Sequence, residues 1–137
     1  MRVDLALLAD YALADKADKL TVAGVFRSVS ATGLPFRFTR MFLALSMTVE
    51  AGEPSGHEMK VRLIDPDGGT LMELDGEVSL TRADPEADST INLILEMNGV
   101  EFKRIGTHCF DIFLDGRFTE RVPLEVALAR LTEPGTA

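Results

Sequence analysis

The sequence predicts an all-β fold, an antiparallel two-sheet sandwich of about seven or eight strands. Three observations carry that expectation. Apolar residues recur at every second position in residues 41–50, 59–64, 91–97 and 108–114, the period of a strand buried on one face. Segments dense in Gly, Pro, Asp and Ser separate these runs and supply turns. Two pairs of runs, in residues 59–80 and 106–126, lie close enough to fold back as hairpins. No helix longer than about two turns is expected in the body of the domain.

Residues 106–126 are the centre of the expected fold. They read Gly-Thr-His-Cys-Phe-Asp-Ile-Phe-Leu, then Asp115-Gly116, then Arg-Phe-Thr-Glu-Arg-Val-Pro-Leu-Glu-Val. A two-residue turn in an unbroken ladder would set Leu114 against Arg117 and Phe110 against Arg121, placing two arginines on the apolar face. A three-residue loop over residues 115–117 instead pairs Leu114 with Phe118, Phe110 with Val122 and His108 with Leu124. Asp111 then meets Arg121 on the outside, and Phe113 lies opposite Thr119. The expected form is a type I turn with Gly116 in the left-handed conformation of a bulge.

In residues 59–80, a turn centred on Asp67-Gly68 pairs Leu63 with Met72 and Val61 with Leu74. Lys60 then faces Asp75, Arg62 faces Glu73 and Ile64 faces Leu71 on the other side. Such charge pairs set register more than stability, each contributing at most about 0.2–1 kcal/mol.

Residues 3–16 satisfy two patterns. As a helix, Leu5, Leu8 and Tyr11 share a face; as a strand, Val3, Leu5, Leu7, Ala9, Tyr11 and Leu13 line one side, with Asp4 and Asp10 on the other. The strand is preferred because everything downstream is β. The polar run 15–19 then returns the chain into a second strand over residues 20–30, with Gly24 marking a bulge. Residues 33–35 form a loop, 41–50 a strand with Met41, Leu43, Leu45, Met47 and Val49 inward, and 51–56 a polar loop. Residues 82–89 form an acidic loop, and 91–97 a strand with Ile91, Leu93, Leu95 and Met97 inward. Asn98-Gly99 opens a connection to the last hairpin. Residues 1–130 make one domain and residues 131–137 a flexible C-terminal tail.

The run Gly106-x-His108-x-Phe110-x-Ile112, preceded by Ile91-x-Leu93-x-Leu95, resembles the passage into the sixth strand of immunoglobulin-like domains. His108 stands where that pattern has tyrosine and Phe110 where it has cysteine, so the resemblance implies an immunoglobulin-like sandwich without its disulfide. From Val-Asp-Leu-Ala-Leu-Leu-Ala-Asp-Tyr-Ala through Asp65-Pro-Asp-Gly to Val122-Pro-Leu-Glu-Val, the chain also resembles a bacterial family of short cytoplasmic proteins described as a domain of unknown function. That likeness supports strand at the N-terminus and implies no activity.

The chain has 137 residues and a formal charge of −8, enough length for a core without disulfides. Its acidity opposes a nucleic-acid or anionic-membrane partner, because both need a concentrated basic face. Cys109 is the single cysteine, which excludes an internal disulfide and points to the reducing cytoplasm. Asp4 and Asp10 interrupt the N-terminal apolar run as a signal sequence, and no stretch reaches the roughly 20 apolar residues of a membrane helix.

No residue set suggests catalytic chemistry, a cofactor or a metal site. His57 follows Gly56 at a strand start and is expected exposed; His108 faces the core opposite Leu124. Cys109 falls outside, beside Pro123, with no neighbouring base. Asp65-Pro-Asp67-Gly68-Gly69 touches calcium-loop composition but lacks the third acid and the distal glutamate, and Pro-Asp-Gly is itself a turn. Asp84, Glu86 and Asp88 form a second acidic loop, expected to be solvated rather than calcium-binding. The expected function is a non-enzymatic protein-interaction or scaffold module, with a small-ligand or calcium-binding sandwich using loops at one end as the alternative. The partner is expected to be protein, another chain or a second copy in a homodimer. Phe42, Ile64, Leu71, Ile94 and Phe113 remain as large apolar residues on outer positions, with Ile64 and Leu71 adjacent.

Overall fold

The structure is a computed structural model that describes residues 1–129. Its nine strands are β1 (Arg2–Ala14), β2 (Leu20–Phe26), β3 (Ser28–Ala31), β4 (Phe36–Val49), β5 (Gly56–Ile64), β6 (Thr70–Ser79), β7 (Ser89–Phe102), β8 (Gly106–Leu114) and β9 (Arg117–Leu128). No helix occurs among the described residues, so the N-terminal ambiguity resolves as strand. The expected tail at 131–137 lies outside the described residues. One sheet has four strands in the order β2-β1-β4-β7, the other five in the order β3-β9-β8-β5-β6. The chain is all-β in two sheets, and the larger sheet curls into half a barrel.

Both sheets face one core. Leu8, Met41, Leu43, Leu45 and Met47 come from the four-stranded sheet, and Val61, Leu63, Phe110, Ile112 and Leu124 from the other. All ten are fully or almost fully withdrawn from solvent, and each burial of this kind contributes roughly 1.5–3 kcal/mol. In β4, β5, β8 and the first half of β7, the inward rows are those that alternation predicts. The expected registers hold at Lys60 opposite Asp75, Arg62 opposite Glu73 and Phe110 opposite Val122. Arg62 Nε reaches Glu73 at 3.0 Å, and Arg121 grips Asp111 through Nε and Nη2 at 2.7 and 2.9 Å.

Five local expectations are corrected, four of them where a strand changes its alternation. The β8–β9 turn has two residues, with Leu114 opposite Arg117 and Phe113 opposite Phe118. Asp115 and Gly116 both adopt positive φ, 51° and 78°, the primed turn whose twist suits a hairpin. A bulge at Thr119 then restores the expected pairs, so Phe118 is exposed rather than inward. A similar bulge in the β5–β6 hairpin sets Ile64 against Thr70 instead of Leu71, and Leu71 packs on the core. The predicted strand over residues 20–30 breaks at Arg27: β2 stays with β1, while β3 crosses to the other sheet and pairs in parallel with β9. That one parallel ladder departs from a wholly antiparallel fold. β7 continues through Asn98-Gly99 instead of ending there; Gly99 takes φ 66°, and beyond it Val100 and Phe102 turn into the core with Phe36 and Phe38.

The fifth correction concerns β1. Its ladder with β4 shifts between Val3 and Leu5, so Ala6 and Leu8 face the core opposite Leu45 and Leu43. Val3 stays on the core side, while Leu5, Leu7 and Ala9 fall on the outer surface of the sheet, because one extra residue moves the row. Beyond Asp10 the facing changes again: Ala12, with Leu20 and Val22 of β2, packs on that outer surface against Phe42 and Ala44.

His108 is fully buried opposite Leu124, as expected. Its ring meets the Phe102 ring edge-on at 5.0 Å, and Nδ1 lies 3.2 Å from the Gly106 carbonyl. Nε2 has no hydrogen-bonding partner among the described residues. A buried polar atom without a partner costs about 1–3 kcal/mol, so His108→Leu should raise stability by roughly 1 kcal/mol in urea unfolding with an unchanged m-value.

Candidate functional site

The outer face of the four-stranded sheet is apolar where a solvated sheet face is usually polar. Leu7 pairs with Ala44 and Ala9 with Phe42, while Ala44 pairs with Ile94. A second hydrophobic cluster lies here, with Ala12, Phe42 and Ala44 buried inside it and Leu7, Leu20, Val22 and Ile94 partly covering them; the β1–β2 turn is tied to β7 by Asn92 Nδ2 donating to the Asp18 carbonyl at 2.6 Å. The Tyr11 ring stands edge-on to Phe42 at 5.6 Å, and the Arg40 guanidinium caps the same ring at 5.3 Å. Around this cluster Leu5, Tyr11 and Val25 are 44–51 % exposed. Its charged members, Arg40 and Glu96, pair with each other at 3.5 Å. The face is therefore locally neutral on a chain of charge −8.

Of the outer residues flagged from sequence, Phe42 and Ile94 belong to this cluster. Phe113 lies on the other sheet, between the Phe118 ring at 5.8 Å and the Arg62 guanidinium at 5.2 Å. Leu5, Leu7 and Ala9, which continue the face, were visible in the sequence as part of an apolar period, but nothing there showed which side they would take or that Ala12 would replace them further along.

The second concentration of functional groups lies where β5 starts and the β8–β9 turn passes. His57 is buried, contrary to the exposed position expected for it. Its Nδ1 lies 2.6 Å from Asp115 Oδ2 and its Nε2 2.8 Å from the Pro54 carbonyl. Both partners are hydrogen-bond acceptors. Asp115 Oδ1 also accepts the Glu58 N–H at 2.9 Å. Hydrogen bonds from His57, then from the Glu58 amide, hold the Asp115 carboxyl below its usual pKa. Glu53 is likewise held low, first by its pairing with the Met1 amino group. Beside this corner, Gly56, His57, Glu58, Glu77, Ser79 and Asp115 line an open cavity of about 330 Å³. Glu58 and Glu77 lie directly opposite each other across β5 and β6. Since His57 and Asp115 are 58 positions apart, no local sequence signal could have joined them.

The acidic loops are neutralised from within. Arg104 pairs with Asp65 at 3.3 Å and Asp67 at 3.1 Å. Asp65 Oδ1 accepts the Asp67 N–H, and Asp67 Oδ1 the Gly69 N–H, an Asx-turn arrangement. Asp84 Oδ1 accepts the Glu86 N–H and Asp88 Oδ1 the Ala51 N–H. Arg82 bonds the carbonyls of Glu50, Glu53 and Ala87, tying the two loops together. No group of three or more metal-ligating side chains gathers among the described residues. Cys109 faces outward opposite Pro123, as expected, and burial raises its thiol pKa against the opposing pull of Arg121, the reverse of an activated thiol.

A family model described as a family of unknown function, DUF6941, matches residues 4–127. The chain belongs to that family. No curated protein sequence matches it. Among solved structures, it is similar to the Pseudomonas fluorescens alkylpurine DNA glycosylase AlkC bound to DNA containing an abasic site analog, with TM-score 0.50 and 10 % identity. The match covers 92 % of this chain but 30 % of the glycosylase, so the chain spans less than a third of that enzyme. Likeness at this identity concerns the fold alone. Among the described residues no helix is long and apolar enough to cross a membrane.

The lowered pKa of Asp115 carries a signed prediction. A carboxylate with a depressed folded pKa stabilises the protein above its unfolded pKa, near 4, and that contribution is lost as pH falls through the folded value. Asp115→Asn should therefore cost about 1 kcal/mol at pH 7, discounted for the half-exposed carboxylate. As pH falls from 7 through the folded value, the difference from wild type should close. Urea unfolding across this range reads both limbs.

Proposed function

We propose that the chain is a non-enzymatic protein-interaction module that uses the outer face of the four-stranded sheet as its contact surface. The observation that carries this reading is the cluster of Leu7, Ala12, Leu20, Val22, Phe42, Ala44 and Ile94 on β1, β2, β4 and β7, rimmed by the exposed side chains of Leu5, Tyr11 and Val25. Contiguous exposed apolar surface of a few hundred Å² characterises interaction sites, whereas scattered apolar residues are normal. Tyr11 and Phe42, rigid and large, are the side-chain types that anchor protein interfaces. The chain's acidity favours a protein partner over nucleic acid, and its single unpaired cysteine suits the cytoplasm. The two packed sheets and the His108–Phe110 strand fit an immunoglobulin-like sandwich as the architecture presenting this face.

Co-purification from native cells with the full chain is the test. Wild type should retain a protein partner, or a second copy, that Tyr11→Glu loses while its thermal unfolding stays within a few degrees of wild type. An unchanged set of bound proteins in the variant would remove the outer face from the reading.

One observation favours a second reading, a small cationic ligand at the loop end. The 330 Å³ cavity combines Glu58, Glu77, Asp115 and Ser79 and falls within the roughly 300–1,000 Å³ range of ligand sites. Thermal unfolding with calcium and with a panel of polyamines tests it. A bound ligand at a hundred times its Kd adds about 2.7 kcal/mol, and a flat profile across the panel rejects the reading.

A further inference from the structure

The outermost strand of the five-stranded sheet is uncovered. β6 pairs with β5 alone, and among the described residues no other strand runs alongside it. Its residues 73–77 are all exposed. Successive side chains of a strand point to opposite faces, so five consecutive exposed residues mean that both faces and the edge between them meet solvent. The loop that follows turns away. Leu80 donates its N–H to the Ser55 carbonyl and Gly52 to the Pro85 carbonyl, while Arg82 ties the loop to the carbonyls of Glu50 and Glu53. That loop therefore lies off the end of β6 rather than beside it.

The ladder fixes which backbone groups face the open side. Leu80 donates to Ser55, its partner in the continued β5–β6 register, and Asp115 donates to Glu58 on the opposite side of β5. Hydrogen-bonded residues alternate along an antiparallel pair. Residues 72, 74, 76 and 78 therefore turn their N–H and C=O to β5, and Glu73, Asp75 and Glu77 turn theirs outward. Proline and lysine are common blocks to pairing at an edge, and residues 70–79 contain neither.

Both rows of β6 are left incomplete. On the inner row Met72, Leu74 and Gly76 lie opposite Leu63, Val61 and Met59, all buried. Leu74 is nevertheless exposed, and a β-carbon at Gly76 would meet nothing within 4 Å, so the core is uncovered along this row. On the outer row Lys60 lies 3.5 Å from Glu73 and 3.7 Å from Asp75, and Arg62 3.0 Å from Glu73. Glu77 faces Glu58 directly across the ladder. Neither has an ion-pair partner among the described residues. Like charges set directly opposite destabilise a sheet, and a cation brought from outside removes the conflict. β7, the outermost strand of the other sheet, has no such need: its Glu96 and Glu101 are each paired with an arginine of β4.

We propose that the edge of β6 at residues 73–77 takes an extended segment of a partner protein by strand addition, apolar at every second residue and basic at the residues between. The segment runs antiparallel to β6 and exchanges main-chain hydrogen bonds with Glu73, Asp75 and Glu77. Side chains directly opposite these three share their face, so lysine or arginine there meets the carboxylates, and the one opposite Glu77 reaches Glu58 as well. The alternate side chains fall on the inner side, over Leu74 and into the space at Gly76. Main-chain hydrogen bonds supply the affinity and the alternate side chains the selectivity. A second copy is the poorer occupant: every two-fold antiparallel register centred on residues 73–77 sets one of the acids Glu73, Asp75 and Glu77 against another. The inference rests on reading the chain as a protein-binding module, and places that binding on the edge of the five-stranded sheet rather than on the outer face of the other.

The probe is a fluorescein-labelled heptapeptide alternating valine with lysine, read by anisotropy on the full chain. It is compared with its valine–glutamate twin and with two copies N-methylated at the lysine amides or at the valine amides. In the proposed ladder the lysine amides face β6 and the valine amides face away. The plain lysine peptide should bind at least about tenfold more tightly than the glutamate twin. Methylation at lysine should abolish binding, and methylation at valine should spare it. Bound peptide should slow amide hydrogen exchange at residues 73, 75 and 77. Glu77→Lys should weaken the peptide about tenfold, and Tyr11→Glu should leave it unchanged. Equal affinity of the two methylated peptides, no saturation by about 1 mM, or exchange protection elsewhere would overturn the proposal. So would a dimer with residues 73, 75 and 77 already protected before peptide is added. If the peptide fails while Tyr11→Glu still loses a protein partner, the edge alone is wrong; if the peptide binds and that variant loses nothing, the outer face is.

Discussion

A strand between two environments buries one of its rows, and β1 carries apolar side chains on both. That constraint organises much of what is distinctive here. The shift between Val3 and Leu5 commits Ala6 and Leu8 to the core and leaves Leu5, Leu7 and Ala9 outside. Phe42, Ala44 and Ile94 on the neighbouring strands share that face by register, and Ala12, Leu20 and Val22 pack on it from the far half of the β1–β2 hairpin. The outer cluster thus depends on the bulge near the N-terminus and on a second change of facing beyond Asp10. Reverse the bulge and the four-stranded sheet would offer Ala6 and Leu8 to water instead.

The two sheets are joined by strands that change allegiance or direction. Arg27 lets the chain pass from the edge of one sheet to the edge of the other, where Ser28–Ala31 lies parallel to β9. Gly99 lets β4 and β7 run on as a pair while the facing of their side chains reverses, which brings Val100 and Phe102 into the core. Gly24, at φ 70°, leaves room for the Asp10 side chain on the adjacent strand, where a β-carbon would collide with it. The crossing at Arg27 also ends the β1–β2 ladder at Leu8, so residues 2–7 of β1 pair with β4 alone.

At the loop end the fold uses polar groups instead. Asp115 sits in a left-handed turn position and spends its two oxygens on His57 and the Glu58 amide. The turn of one hairpin is thereby fastened to the start of another. Arg82 and Arg104 perform the same service for the loops that precede β7 and β8, through carbonyls and carboxylates respectively. Acidic segments that resemble ion sites in sequence are loops stitched by their own backbone amides and by arginine.

The sequence by itself determined the β class, the inward rows of β4, β5 and β8, the placement of His108 and Cys109, and the ion-paired registers of both hairpins. These are local properties: a period of two names the buried row once one face is dry, and opposite charges in line select a register. It also displayed the apolar row of β1 without revealing its side. Only the tertiary structure decided that side, the two-residue turn at Asp115-Gly116, the crossing at Arg27 and the meeting of His57 with Asp115. The reason is common to all four. A bulge shifts one strand against another at no visible cost in composition, and which strand becomes a neighbour depends on closing the core between two sheets. Facing, edges and long-range side-chain pairs are set at that closure, so the candidate contact surfaces were legible as residues and not as places.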